Sequence, residues 1–213
     1  MRRADLKSIR NPQSAIRNPK VGVLAIQGDF SAHSAMLARQ GVETVEVRRS
    51  AQLADIDGLI IPGGESTTML KVLREEQMID PIKDFARAGK AIFGTCAGAI
   101  LLAREVHNPP QESLGLIDIT VERNSYGRQL DSFIGEAETA LGDKPLEAVF
   151  IRAPRIIRTG PGVEVLSTIE GEPVMVKKDN LLVATFHPEL TSDNRVHNLF
   201  IEMASLIPSA VTV

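Results

Sequence analysis

Short apolar segments that stop at a turn alternate with helical segments through the first half of the chain. The predicted strands are "VGVLAIQG" (21–28), "VETVEVRR" (42–49), "IDGLIIPGG" (56–64) and "AIFGTC" (91–96). The runs at 21–28 and 91–96 are expected to be strands buried on both faces, and 56–64 is a strand stopped by Pro62-Gly63-Gly64, whereas 42–49 alternates with period two and is expected near a sheet edge. This alternation predicts an α/β fold with a mostly parallel central sheet and right-handed crossovers.

The segments between these strands carry apolar residues at helical spacing. We predict helices over 31–40, over 66–88 with a stop at Gly89, and over "AGAILLARE" directly after the fourth strand. A last helix follows Ser192, and either Thr191 or Ser192 is expected to cap it.

The second half of the chain has a different pattern. Between residues 114 and 183, five strand-like stretches follow one another with short turns: "DITVERN", "AVFIRAP", "VEVLSTI", "PVMVKK" and "LLVATFH". They predict additional strands in the same domain, some of them antiparallel. We therefore expect one domain over 21–208 and a short tail over 209–213. Residues 1–20 hold six Lys or Arg against one Asp, repeat an Asn-Pro pair and have no apolar face. They are expected to be a disordered basic extension.

Charge and cysteine content exclude several classes of protein. The chain has 213 residues, a net charge of -3 and a single cysteine. The net charge does not indicate a basic surface for nucleic acid. No apolar run approaches the roughly 18 residues that would span a bilayer. One cysteine excludes an intrachain disulfide and a cysteine-rich zinc site. We expect no metal and no nucleic-acid or membrane partner, and the cytoplasm is the default compartment.

That single cysteine, Cys96, lies in "FGTCAGAI", where a buried strand passes into a helix without a loop. Such a corner forces strained backbone geometry on its central residue and turns the side chain outward. The small residues around it allow the chain to fold back on itself. The N-terminus of the following helix favours a thiolate, and the N–H of Ala97 is placed to receive an oxyanion. Cys96 is therefore a candidate nucleophile.

A nucleophilic thiolate needs a base and an orienting acid. His187 ends the apolar stretch "LLVATF", and Glu189 follows two residues later. In an extended segment, residues i and i+2 project to the same side, so the carboxylate can hold one nitrogen of the imidazole. The other three histidines, His33, His107 and His197, are expected at the surface.

A third corner, "PGGESTT" (62–68), also follows a strand. Because parallel sheets bind ligands at the carboxyl ends of their strands, we expect this corner to meet Cys96 and His187. Gly63 and Gly64 allow backbone N–H groups to approach a substrate closely. Glu65 and Ser66 supply an acceptor and a hydroxyl, and Ser66 is also expected to cap the next helix.

The set "PGGEST", "GTCAG" and "HPE", in this order, resembles the class I glutamine amidotransferases. More narrowly, "AIQGDFSAH", "VERNSYGRQLDSF", "FIRAPRI" and "FHPELTSD" are similar to the glutaminase subunit of pyridoxal 5′-phosphate synthase. The likeness covers residues 21–207. It implies a three-layer α/β sandwich, hydrolysis of L-glutamine to glutamate and ammonia without a cofactor, and a synthase subunit as partner.

The same resemblance assigns roles to individual residues. Cys96 would be the nucleophile, His187 the base and Glu189 its orienting acid, with Gly64 and Ala97 as the oxyanion hole. The glutamine-binding residues that it implies are Gly64, Glu65, Ser66, Arg123, Ile151 and Arg152.

Three other interpretations stay open at this point. One is a thiol hydrolase or peptidase with the same corner, and a second is a non-catalytic module in which Cys96 senses oxidants. The third keeps the glutaminase chemistry but delivers ammonia to a different acceptor. The predicted docking surface combines "GDFSAHSAM" with "RNSYGRQ".

Overall fold

The first half of the molecule alternates strands and helices, as the sequence predicts. The computed structural model describes residues 18–123 and 132–206. The strands of this half are β1 (Lys20–Leu24), β2 (Glu43–Val47), β3 (Gly58–Ile61) and β4 (Ala91–Thr95). The helices are α1 (Phe30–Arg39), α2 (Ser66–Glu75), α3 (Ile79–Arg87) and α4 (Ala97–Leu102). A 3₁₀ turn at Ser50–Asp55 leads into β3.

The second half is built almost entirely of strands. They are β5 (Ala103–His107), β6 (Ile117–Glu122), β7 (Ser132–Thr139), β8 (Leu146–Ile151), β9 (Arg155–Thr159), β10 (Glu164–Ile169), β11 (Glu172–Lys178) and β12 (Leu181–Ala184). A 3₁₀ turn at Pro188–Leu190 and helix α5 (Arg195–Ser205) follow. None of the described helices is long and apolar enough to cross a membrane.

Within the described residues, nine strands form the main sheet in the order β2-β1-β3-β4-β12-β11-β10-β7-β8. The pairs from β2 to β12 are parallel, and those from β12 outward are antiparallel. Strand β2 lies at the edge, as its alternating pattern predicts. Strands β5, β6 and β9 form a separate three-stranded sheet. The predicted mixture of parallel and antiparallel strands is confirmed.

Apolar side chains cover both faces of the main sheet, which gives three layers. On one face, α1 and α5 bury Leu37, Phe200 and their neighbours against Phe93. On the other face, α2, α3, α4 and the small sheet pack against strands β3, β4 and β12. The continuous apolar runs of β3 and β4 are explained by this burial, since each residue of both strands is buried. The expected three-layer α/β sandwich is confirmed.

Several predicted element boundaries are wrong. The predicted helix over 66–88 breaks at Gln77, whose φ is 53°, and resumes as α3. The helix after Cys96 ends at Leu102, because 103–107 pairs with β6 instead. Neither Thr191 nor Ser192 caps α5, which begins later, with Asn194 at its N-cap position. The predicted extension and tail fall mostly outside the described residues, as does most of "RNSYGRQ".

Candidate active site

Cys96 occupies a tight corner between β4 and α4. Its backbone has φ 47° and ψ −102°, in a region that non-glycine residues rarely adopt. Its N–H donates to the carbonyl of Ala184 on the neighbouring strand, at 2.9 Å. A Cβ added at Gly98 would lie 2.1 Å from the carbonyl oxygen of Ile61, and one at Gly94 would lie 2.7 Å from Gly98. Small residues are therefore required here, as the sequence suggests.

His187 follows β12, the strand that pairs in parallel with β4. The register places Ala184 opposite Thr95, so the two strand ends bring His187 and Cys96 to the same edge of the sheet. His187 and Glu189 are buried, and His187 Nδ1 lies 2.7 Å from Glu189 Oε1. The link between them is a 3₁₀ turn rather than the extended segment that the sequence suggested. The turn still directs both side chains to one another.

The electrostatics of this pair favour an imidazolium. Burial lowers the pKa of His187, but side-chain hydrogen bonds with Cys96 and Glu189, together with their charges, more than offset it and raise the pKa to about 10. Burial raises the pKa of Glu189, but the neighbouring His33 and His187 lower it below its ordinary value. The site therefore holds a carboxylate, an imidazolium and the Cys96 sulfur in sequence.

The corner at 62–66 lies against both groups. A Cβ added at Gly63 would be 2.4 Å from His187 Cε1 and 3.3 Å from Cys96 Cβ. Glu65, not Ser66 as predicted, caps α2: its carboxylate accepts from the N–H groups of Thr67 and Thr68. Burial raises the pKa of Glu65, but the hydrogen bonds from Thr68 and Thr67 bring it to about 2. Ser66 instead donates to Gln111 at 2.9 Å.

A cavity of about 540 Å³ opens beside the Cys96 sulfur. Eight of the predicted site residues line it: Gly64, Glu65, Ser66, Cys96, Arg123, Ile151, Arg152 and His187. Glu189 lies behind His187, and Ala97 follows Cys96 at the start of α4. Sequence reasoning missed Gln27, Asp29, Ile100 and Ser132, which also line the cavity. Gln27 and Asp29 follow β1, so the rule about strand ends could have indicated them.

Two opposite charges lie side by side on the wall of this cavity. Arg123 Nη2 lies 3.5 Å from Glu65 Oε1 and 3.3 Å from Thr67 Oγ1. The Arg123 side chain is only 15% exposed. The carbonyl of Ile151 faces the Cys96 sulfur at 3.8 Å, and the next residue, Arg152, has φ 46°. A ligand with one positive and one negative group could bind both sides of this arrangement.

Two of the histidines assigned to the surface lie in the core instead. His33 and His197 are both fully buried, and the rings stand edge-on to Phe93. That prediction is wrong because the two side chains contact each other across α1 and α5, which the spacing within either helix cannot indicate. His107 is exposed, as predicted.

A cysteine on a strained strand–helix corner, with an imidazole and a carboxylate at the next strand end, is typical of hydrolytic enzymes built on an α/β sheet. Residues 23–206 match the SNO glutamine amidotransferase family. The chain belongs to the SNO glutamine amidotransferase family and is an enzyme of the glutaminase type.

Individual relatives agree with this assignment. The chain is 57% identical over 190 residues to the pyridoxal 5′-phosphate synthase subunit PdxT of Solibacter usitatus, covering 85% of this chain and 97% of that one. The protein of the same name from Thermotoga maritima is 52% identical over 185 residues, covering 86% and 98%.

Solved structures show the same architecture. One described as a glutamine amidotransferase superposes with a TM-score of 0.83 at 46% identity, covering 87% of this chain and 99% of that one. The PurLQS structure from Thermotoga maritima gives a TM-score of 0.62 at 18% identity, covering 88% and 96%, and shares the fold alone.

Proposed function

We propose that the chain hydrolyses L-glutamine to L-glutamate and ammonia through Cys96, His187 and Glu189. The observation that carries this proposal is the position of His187, which is hydrogen-bonded to Glu189 on one side and interacts with Cys96 on the other. All three side chains are buried next to a cavity that is large enough for an amino acid. This arrangement suits acyl transfer to sulfur.

The reaction follows from the charges of the site. The Cys96 thiolate attacks the side-chain amide carbon of glutamine, and the oxyanion that forms accepts hydrogen bonds from the N–H groups of Gly64 and Ala97. The His187 imidazolium then donates its proton to the amide nitrogen, the C–N bond breaks and ammonia leaves a thioester. His187, now neutral, removes a proton from water, which attacks the thioester and releases glutamate. Each step needs only these side chains and water, without a metal or organic cofactor.

Glutamine is bound through its charged ends. Glu65, whose pKa is about 2, stays ionised and pairs with the α-ammonium group. Arg123, with a mostly buried guanidinium, takes the α-carboxylate, and Arg152 is the second candidate for that contact. The backbone at Ile151 and the side chain of Ser66 complete the pocket around the substrate. Arg123 and Glu65 form an ion pair at 3.5 Å, which supports the proposal because the α-ammonium and α-carboxylate groups that they would bind are also close together.

The ammonia has a specific destination in this proposal. The relatives named above are subunits of pyridoxal 5′-phosphate synthase. We infer that this chain docks on a synthase subunit in a hetero-oligomeric complex and supplies the nitrogen of pyridoxal 5′-phosphate, which the synthase builds from a pentose phosphate and a triose phosphate. Docking keeps ammonia from escaping to solvent. The described part of the predicted docking surface is residues 28–36, which include most of α1, together with Arg123, and Asp29 and Arg123 also line the cavity.

Ammonia release from L-glutamine tests the proposal. The assay compares wild type with Cys96→Ala, each alone and with a synthase subunit, and peptide and ester substrates are measured in parallel. We expect glutamine turnover in the wild-type complex and none in Cys96→Ala. A covalent glutamine analogue should label Cys96. Hydrolysis of peptides or esters without glutamine turnover would contradict the assignment, and equal turnover with and without the synthase would contradict a functional docking.

A further inference from the structure

Two buried histidines lie directly behind the proposed triad, outside the cavity. Oε2 of Glu189 is buried and makes no hydrogen bond within residues 18–123 and 132–206. The nitrogen Nε2 of His33 lies 3.4 Å from that oxygen. On its other side, Nδ1 of His33 lies 3.0 Å from Nε2 of His197. The side chains form an uninterrupted series from α5 through α1 to Glu189 and His187.

Both of these imidazoles are neutral at pH 7. Burial lowers the pKa of His33 from its ordinary value, the charge of Glu189 raises it, and the net change is downward. Burial, together with the neighbouring His33, lowers the pKa of His197 to about 3. A neutral imidazole carries one N–H and one bare nitrogen. The hydrogen bond between His33 and His197 therefore allows only two arrangements of protons.

One arrangement conflicts with its surroundings at both ends. If His33 Nδ1 donates to His197, the bare Nε2 of His33 faces the carboxylate of Glu189. At the far end, His197 would then carry its proton on Nδ1, which is buried and has no hydrogen-bond partner among the described residues. A buried donor without a partner is unfavourable, and the lone pairs at the other end repel.

The other arrangement suits both ends. His197 Nε2–H donates to His33 Nδ1, which leaves a bare nitrogen as the unpartnered atom of His197. The proton of His33 then lies on Nε2, which is 3.2 Å from the hydroxyl oxygen of Thr95 and 3.4 Å from Glu189 Oε2. Thr95 immediately precedes Cys96, so the same N–H also contacts the strand that carries the nucleophile.

We propose that His33 is a positioning residue for Glu189, and that His197 sets the tautomer in which His33 presents its Nε2–H to that carboxylate. His33 thus fixes the orientation of Glu189 and keeps it ionised while the opposite oxygen holds His187. This inference rests on the proposed role of Glu189 in the triad.

Other charged groups lie near His33, His197 and Glu189, and they also affect how activity depends on pH. Asp29 at the start of α1 places a carboxylate oxygen within 4.8 Å of ligand atoms of both His187 and Glu189. Cys96 faces His187 from the corner after β4, and Arg39 at the end of α1 acts on His197. Losing the N–H of His33 removes the polar group that lies 3.4 Å from the buried Oε2 of Glu189, so Glu189 should protonate at higher pH. The acid limb of activity should then move to higher pH.

The tautomers can be measured in the unaltered protein. Long-range ¹H–¹⁵N correlation spectra of the full chain distinguish the two ring nitrogens of each of its four histidines. We expect both His33 and His197 as the Nε2–H form, without protonation between pH 6 and 8. An Nδ1–H form at His33, or protonation of His33 in this range, would overturn the proposal. This measurement decides the matter even if substituted chains fail to fold.

Substitutions test the consequence for turnover in the complex with the synthase subunit. His33→Phe keeps a ring but removes the donor, and we expect kcat to fall about 10- to 100-fold, as for other partners that orient a reacting side chain. KM for glutamine should stay within about twofold, because His33 does not line the cavity. His33→Gln restores an N–H donor and should recover most of the activity and the acid limb. The control is His107→Phe.

Two outcomes separate this inference from the proposed function. If Glu189→Gln and Cys96→Ala abolish turnover but His33→Phe matches His107→Phe, the triad stands and the role of His33 is refuted. If Glu189→Gln retains wild-type turnover, the proposed triad itself is wrong. A loss in His33→Phe that His33→Gln does not recover, accompanied by a higher KM, would identify a packing role and also refute the positioning role.

Discussion

Replacing Gly63 by alanine should separate the imidazole from the thiol while leaving the fold intact. The new methyl would lie 2.4 Å from His187 Cε1 and 3.1 Å from His187 Nδ1. Carbon atoms pack no closer than about 3.5 Å, so one group must move by about 1 Å. The backbone at Gly63 has little room to move, because its carbonyl oxygen packs against Gly28. A Cβ added at Gly28 would lie 1.7 Å from that oxygen. We therefore expect His187 to move.

A displacement of about 1 Å in a reacting group can lower turnover about 100-fold. We expect Gly63→Ala to reduce kcat for ammonia release by about that factor, with a smaller change in KM. The φ of Gly63 is not positive, so alanine adds no backbone strain. The melting temperature should therefore fall by only a few degrees.

Gly135→Ala is the matched control for this substitution. Gly135 lies in β7, and the nearest atom to an added methyl is the flexible end of Ile169, at 3.2 Å. Ammonia release and thermal unfolding are measured for both variants and wild type. Wild-type kcat in Gly63→Ala would refute the claim that the corner at 62–66 fixes the distance between His187 and Cys96. A large loss of melting temperature would show a folding defect instead.

Three further changes have defined outcomes. With Cys96, the Glu189 carboxylate raises the pKa of His187 to about 10, so Glu189→Gln should lower that pKa and the imidazolium should lose its proton at lower pH. An NMR titration of His187 with its midpoint still near 10 would contradict this. Cys96→Gly should be about 1–2 kcal/mol more stable to urea than Cys96→Ala, reversing the usual order, because only glycine relieves the strain at φ 47°. Arg123→Ala should raise KM for glutamine about 10- to 100-fold with little change in kcat, as expected for an ionic contact to substrate; an unchanged KM would move that role to Arg152.

The order of strands and corners in the first half of the fold follows directly from the sequence. Strands buried on both faces are rich in apolar residues, and glycines follow where the strands end. Strands β1, β3 and β4 can therefore be recognised from their own short segments of sequence. The break between α2 and α3 was missed although Pro81, in the first turn of α3, is typical of a helix start. The early end of α4 could not be predicted, because it depends on pairing with β6.

The residues of the candidate site also fall into those that the sequence predicts and those that it does not. Cys96, His187 and Glu189 stand at strand ends, where position in the chain predicts position in space. The role of Glu65 as a helix cap was missed because serine is the commoner cap, whereas here the longer carboxylate reaches two N–H groups at once. The burial of His33 and His197 depends on two helices far apart in sequence, and each sequence segment alone shows only one polar residue on an amphipathic helix.

The position of β12 between β4 and β11 has a consequence for how such proteins diverge. Cys96 and His187 follow adjacent parallel strands, so one ladder of backbone hydrogen bonds sets their separation. Strands β7, β8 and β10 lie beyond β12 and β11, at the far side of the sheet. Strand β8 nevertheless returns to the site, because the N–H of His187 donates to the carbonyl of Val149 and the carbonyl of Ile151 faces the Cys96 sulfur. Changes of length in β8 would therefore disturb the pocket, whereas β2, at the opposite edge of the sheet, contributes no residue to the described cavity wall and can vary with less effect on the chemistry.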